Sequence, residues 1–135
     1  MAELVRMSEA TALGMHAMVA LADAEGPVSA AETADRLSVS PAHLAKVMRA
    51  LARAGLLAAR RGPSGGYALA RPSSEIRLLE VYEALEGPLR RDGCLFARPV
   101  CGRERCALGT VVSGVRSEVH EYLKETTLAD AAGGR

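Results

Sequence analysis

The chain has 135 residues, with 17 Lys and Arg against 16 Asp and Glu for a formal net charge of +1, and 49% of it is hydrophobic. That supports about one domain with a modest core and excludes a disordered chain. No apolar run approaches the roughly 20 residues of a membrane span, and Glu3 and Glu9 spoil a signal-peptide pattern, so a cytoplasmic protein with no membrane partner is expected.

Residues 8–22 are the first predicted helix. Ser8 can cap it, and Glu9 suits the positive end of the helix dipole. Leu13, Ala17, Ala20 and Leu21 form one apolar face. Met15, Met18, Val19 and Ala22 form a second, so the helix should be buried between its own domain and something else. Gly14 costs helix propensity and points to a close approach. After the Glu25-Gly26-Pro27 break, residues 29–37 form a second helix, where Ser29 and Glu32 have capping-box spacing. Val39 and Ser40 turn the chain into a third. Ser40 is its cap and Pro41 its first residue. Leu44, Val47, Met48 and Leu51 make one apolar face, leaving His43, Lys46, Arg49 and Arg53 to point outward. Gly55 stops the helix. Residues 56–60 and 67–70 are short extended runs joined by Gly62-Pro63-Ser64-Gly65-Gly66, a loop of turn formers. Helix, tight turn, helix and basic hairpin make a winged helix-turn-helix.

Charge says what this unit faces. Between Asp35 and Glu75 there is no carboxylate, while Arg36, Lys46, Arg49, Arg53, Arg60, Arg61 and Arg71 lie in the same span. In a nearly neutral chain this concentration is the footprint of a phosphate-backbone binder, with double-stranded DNA as partner. Aromatic residues are 3% of the chain and Trp is absent, which argues against base stacking on single strands.

Residues 76–86 carry Leu78, Val81, Tyr82 and Leu85 at helical spacing, and Gly87 and Pro88 end that helix. Residues 107–125 are the last long helix. Leu108, Val111 or Val112, Val115, Val119, and Tyr122 or Leu123 form a stripe near heptad spacing, expected to pair two copies as a homodimer. Residues 129–135 read as a frayed tail. The expected fold is mainly α with a small β wing. It divides into a DNA-binding domain over 1–88, a cysteine loop over 89–106, and a dimerisation helix and tail over 107–135.

The loop holds all three cysteines, spaced Cys94-x6-Cys101-x4-Cys106. In a reducing compartment they point to metal or redox chemistry rather than a disulfide frame. They suit an iron–sulfur cluster (2Fe-2S or 4Fe-4S), zinc with a histidine, or a thiol switch. No catalytic set is present, and Gly62 to Gly66 is a wing turn rather than a phosphate loop, so no enzyme is expected. A small iron–sulfur electron-transfer protein is a more remote alternative, which would show no salt-dependent DNA binding.

Ala54-Gly55-Leu56-Leu57, the wing Arg61-Gly62-Pro63-Ser64-Gly65-Gly66-Tyr67-Ala68-Leu69-Ala70, Ile76-Arg77-Leu78 and Glu86-Gly87-Pro88 follow one another in order. From about Met7 to Leu123 the chain resembles the Rrf-two family of bacterial winged-helix repressors (IscR- and NsrR-like), whose members carry close versions of these segments. The resemblance implies a symmetric dimer with crossed C-terminal helices on a partly palindromic operator, sensing redox state, nitric oxide or iron supply. It implies Pro41, Ala42, His43, Lys46 and Arg49 at the major groove and Arg61 at the minor groove, with Ser40, Arg60, Ser64 and Tyr67 completing the DNA-binding set. Lys46 and Arg49 can donate to guanine O6 and N7, and Arg61 suits a narrow, negative minor groove. The resemblance also favours a cluster on Cys94, Cys101 and Cys106. In some relatives a first-helix acid of the other subunit is the fourth ligand, and its matching position is Ala12, which has no donor. In another relative a histidine one turn later serves, matching His16, the expected fourth ligand here; Glu9, one turn earlier, could also reach, and the histidine that follows the third cysteine in IscR-like proteins is replaced here by Ala107, Leu108 and Gly109.

Overall fold

Each of the first three helices begins on a serine. In the computed structural model, Ser8 Oγ accepts from the Thr11 N–H, Ser29 Oγ from that of Glu32 and Ser40 Oγ from that of His43. Each cap satisfies a donor that the first helical turn leaves orphaned. The structure describes residues 3–63, 65–96, 98, 101 and 106–133. The elements in order are α1 Glu9–Ala22, α2 Ala30–Leu37, α3 Pro41–Arg53, β1 Leu57–Arg60, β2 Gly66–Leu69, a 3-10 turn Ser73–Glu75, α4 Leu78–Glu86, α5 Ala107–Glu125 and α6 Leu128–Ala132.

The core lies where α1, α3 and α4 meet. Ala17 and Met18 of α1, Leu44, Met48 and Leu51 of α3, and Val81 and Tyr82 of α4 are essentially inaccessible. Gly14 is the point of closest approach. A Cβ there would overlap Leu85 of α4 and lie 3.2 Å from Val47 Cγ1 of α3. The expected close approach is thus real, and it seats α1 directly on α3. α6 of the same chain also packs against α1.

β1 and β2 pair antiparallel from Leu57↔Leu69 to Arg60↔Gly66. The hairpin is pinned to the rest of the domain. The Tyr67 N–H donates to Val28 O at 2.8 Å, and the Val28 N–H donates to Tyr67 O at 2.9 Å. Gly66 allows this, with φ at +147° and Val28 and Ser29 backbone where a Cβ would stand.

The C-terminus departs from expectation. Instead of fraying from residue 129, the chain forms α6. The Thr127 side chain and Asp130 form a capping box, and Leu128 is fully buried. The Leu128 N–H donates to Ile76 O, and the Leu78 N–H to Thr126 O, both at 2.9 Å. The far end of α5 is thereby tied to the chain entering α4. The tail reading missed Thr127 as a cap and Leu128 as an apolar anchor.

α5 has two unlike faces. Val112, Arg116 and Leu123 are buried, while Leu108, Val111 and Tyr122 are about two-thirds exposed. Among the described residues no helix is long and apolar enough to cross a membrane.

Candidate functional site

The basic surface is built by α3 and the hairpin. Ser40 caps α3 and Pro41 is its first residue. Ala42, His43, Lys46, Arg49 and Arg53 are all exposed, opposite the buried row Leu44, Val47, Met48 and Leu51. Arg60 ends β1, and Arg61 follows it into the turn; both are exposed. None of these cations takes part in an ion pair in the described structure, so their charge is open to a partner. Tyr67 differs from the others: it is half-buried and packs against the core, with its backbone holding the wing. Ser64 lies outside the described residues.

The three cysteines are free thiols, with Cys94 half-buried and Cys101 and Cys106 exposed. Cys106 is the N-cap of α5, and its Sγ accepts from the Gly109 N–H at 3.3 Å. Gly93 packs against the same turn: a Cβ at Gly93 would lie 3.0 Å from Gly109 Cα, and one at Gly109 would lie 2.8 Å from Gly93 O. Two side-chain-free residues thus bring the segment entering Cys94 against the helix start that carries Cys106. His16 is exposed on α1, with Nδ1 2.7 Å from the Ala12 carbonyl oxygen. Among the described residues, no three His, Cys, Asp or Glu side chains form a metal-holding group within the one chain. The donor set fits a thiolate-held group, since three free thiols fall within residues 94–106 and one sits at the positive end of a helix.

Two residues outside the expected set organise this region. Arg116, 5% exposed, projects from the buried face of α5 and donates to Leu4 O, Glu3 O, Asp92 O, Asp92 Oδ1 and Cys94 O at 2.7–3.1 Å. Its sequence signal is an arginine in register with Val112, Val119 and Leu123, a row otherwise apolar. Glu86, 6% exposed, ends α4 beneath the start of α1. Its Oε1 accepts from the Ser8 N–H at 2.6 Å and the Thr11 hydroxyl at 2.9 Å, and Oε2 lies 3.3 Å from Arg6 Nε. Burial alone would push this carboxyl up. The hydrogen bonds from Ser8 and Thr11 and the Arg6 charge outweigh it, and the net shift is downward. Tyr82 beside it donates its hydroxyl proton to Arg6 O.

A winged helix-turn-helix with an exposed basic recognition helix and wing is the frame of a DNA-binding transcriptional regulator. The family model Rrf2, an iron-dependent transcriptional regulator, matches residues 7–133, and the chain belongs to that family. It is 37% identical over 134 residues to an HTH-type transcriptional regulator of Mycobacterium tuberculosis, covering 96% of this chain and 83% of that one. It is 36% identical over 127 residues to the HTH-type transcriptional regulator IscR of Cereibacter sphaeroides, covering 87% and 82%. The structure of CymR, the global cysteine regulator of Bacillus subtilis, superposes with a TM-score of 0.83 at 30% identity, covering 96% and 98%. These relatives are regulators, not enzymes.

Proposed function

We propose that this regulator is a cytoplasmic homodimeric repressor whose operator affinity is set at Cys94, Cys101 and Cys106, which hold an iron–sulfur cluster. The junction at Cys106 supports this reading most. One residue is both a candidate ligand and the cap of the helix whose outer stripe, Leu108, Val111 and Tyr122, would pair two copies. Residues 1–88 act as the DNA-binding domain, 89–106 as the sensing loop and 107–135 as the dimer element. Ser40, Pro41, Ala42, His43, Lys46 and Arg49 meet the major groove, and Arg60, Arg61, Ser64 and Tyr67 form or brace the wing at the minor groove. His16 supplies the fourth ligand across the dimer. When bound, a cluster supplies a redox-, nitric-oxide- or iron-responsive charge at the start of α5. A two-half-site operator demands a fixed spacing between recognition helices, so a small change of angle at the dimer helix changes affinity sharply.

Anaerobic purification with iron and sulfide assays, followed by titration of a duplex selected from a random pool at several salt concentrations, tests the reading. Matched iron and sulfide, lost in Cys101→Ala together with cluster-dependent affinity, is the expected result. A colourless protein that binds duplex but takes up neither iron nor sulfide defeats the cluster. That outcome favours the second reading, a thiol switch, which rests on Cys101 and Cys106 being free and exposed and on the likeness to CymR.

A further inference from the structure

We infer that Arg116 is the positioning residue through which the cysteine loop controls the N-terminal arm, residues 3–8, and hence the seating of α1 on the recognition helix. The inference rests on the reading of the cysteines as the sensing site, but not on what they bind.

One buried guanidinium joins three segments. It grows from α5, holds the loop through Asp92 and the Cys94 carbonyl oxygen, and holds the arm through the Glu3 and Leu4 carbonyl oxygens. Arginine suits this work because its planar fork presents several fixed donors and stays charged. Loop and arm share that fork, so moving the Cys94 carbonyl changes what Arg116 offers the arm.

The arm is built to respond. Leu4 and Met7 are exposed, and beneath the arm lies a cavity of about 250 Å³ lined by Val5, Tyr82, Glu86, Leu89 and Arg116, among others. Polar ties, not close packing, hold it: Arg116 at Glu3 and Leu4, Tyr82 at Arg6 O, and Glu86 at Arg6 and Ser8. A segment with few buried apolar contacts opens at low free-energy cost. Its last residue, Ser8, caps α1, and α1 touches Val47 of α3 through Gly14. The route from Cys94 to α3 is continuous.

In the Cys101→Ser, Cys106→Ser chain, only Cys94 can be alkylated, and iodoacetamide there crowds the carbonyl that Arg116 holds. Trypsin cleavage after Arg6 reports the open arm. Alkylation should raise that rate about tenfold, the size expected for weakening a charge-assisted hydrogen bond, and should change duplex affinity by a similar factor. In the same chain carrying Arg116→Lys, cleavage after Arg6 should start fast and respond less than about twofold, while cleavage within α3, after Lys46 and Arg49, stays slow. If Arg116 served only general stability, Arg116→Lys would speed cleavage everywhere and leave the alkylation response intact, which overturns the proposal. So does an Arg6 rate or duplex affinity indifferent to alkylation of the Arg116 chain, a result needing no Arg116 variant. Iron and sulfide assays on the native chain separate failure of the cluster reading from failure of this one.

Discussion

Replacing Glu86 should cost stability in two distinguishable amounts. Both Ser8 N and Thr11 Oγ1 donate to the same oxygen, Oε1. Glu86→Gln keeps an acceptor there and loses the charge, and the exposed Arg6 pairing adds little, so the cost should be about 1 kcal/mol. Glu86→Ala removes the acceptor from both donors and leaves the Thr11 hydroxyl, on a fully buried residue, only Ser8 Oγ as partner, for about 2–4 kcal/mol. For a chain of this length each kcal/mol moves the melting temperature by about 3–4 °C. The pH dependence separates charge from shape. Folded, the Glu86 carboxyl is held below its ordinary value of 4.5, so the carboxylate's contribution is fully present above that value. It is lost as pH falls through the folded value. Calorimetry at pH 7 and at steps below 4.5 should therefore show the gap between native chain and Glu86→Gln closing in acid. A gap that stays constant across that range would refute the charge argument. An Ala variant no worse than Gln would refute the hydrogen-bond argument.

Three further outcomes are expected. Arg60→Ala and Arg61→Ala should each lower the slope of log affinity against log salt by about 1, measured by duplex titration, if each meets a phosphate. Val111→Glu changes an exposed position of α5, so the chain should melt normally while sedimentation shows a monomer with weakened operator binding. Leu128→Ala should cost about 2–5 kcal/mol by denaturant titration, because the side chain is fully buried and α6 closes the core; a frayed tail would show almost none.

The DNA-binding half was legible because its signals are local. A serine cap, Pro41, a 3-to-4-residue apolar row and a glycine stop all act within one or two turns, and they place Lys46 and Arg49 outward without reference to the rest of the chain. The Glu86-Gly87-Pro88 motif was visible, but its reason was not: Glu86 meets residues more than seventy positions away. Arg116 was not singled out in the sequence. Its buried state depends on carbonyls from two distant segments, which no periodicity encodes. The tail was misread because five helical residues are too few to be stable alone, and only packing on α1 and pairing with residues 76–78 hold them.

The sequence by itself determined the winged helix, the outward basic face and the three thiols, since periodicity, caps and composition are properties of short windows. Only the tertiary structure decided that Gly93 lies against Gly109 beside two of those thiols, that Glu86 caps the entry to α1, and that Arg116 ties the cysteine loop to the arm. Those contacts join residues far apart in the chain, and the free energy that selects them exists only once the core has brought them together.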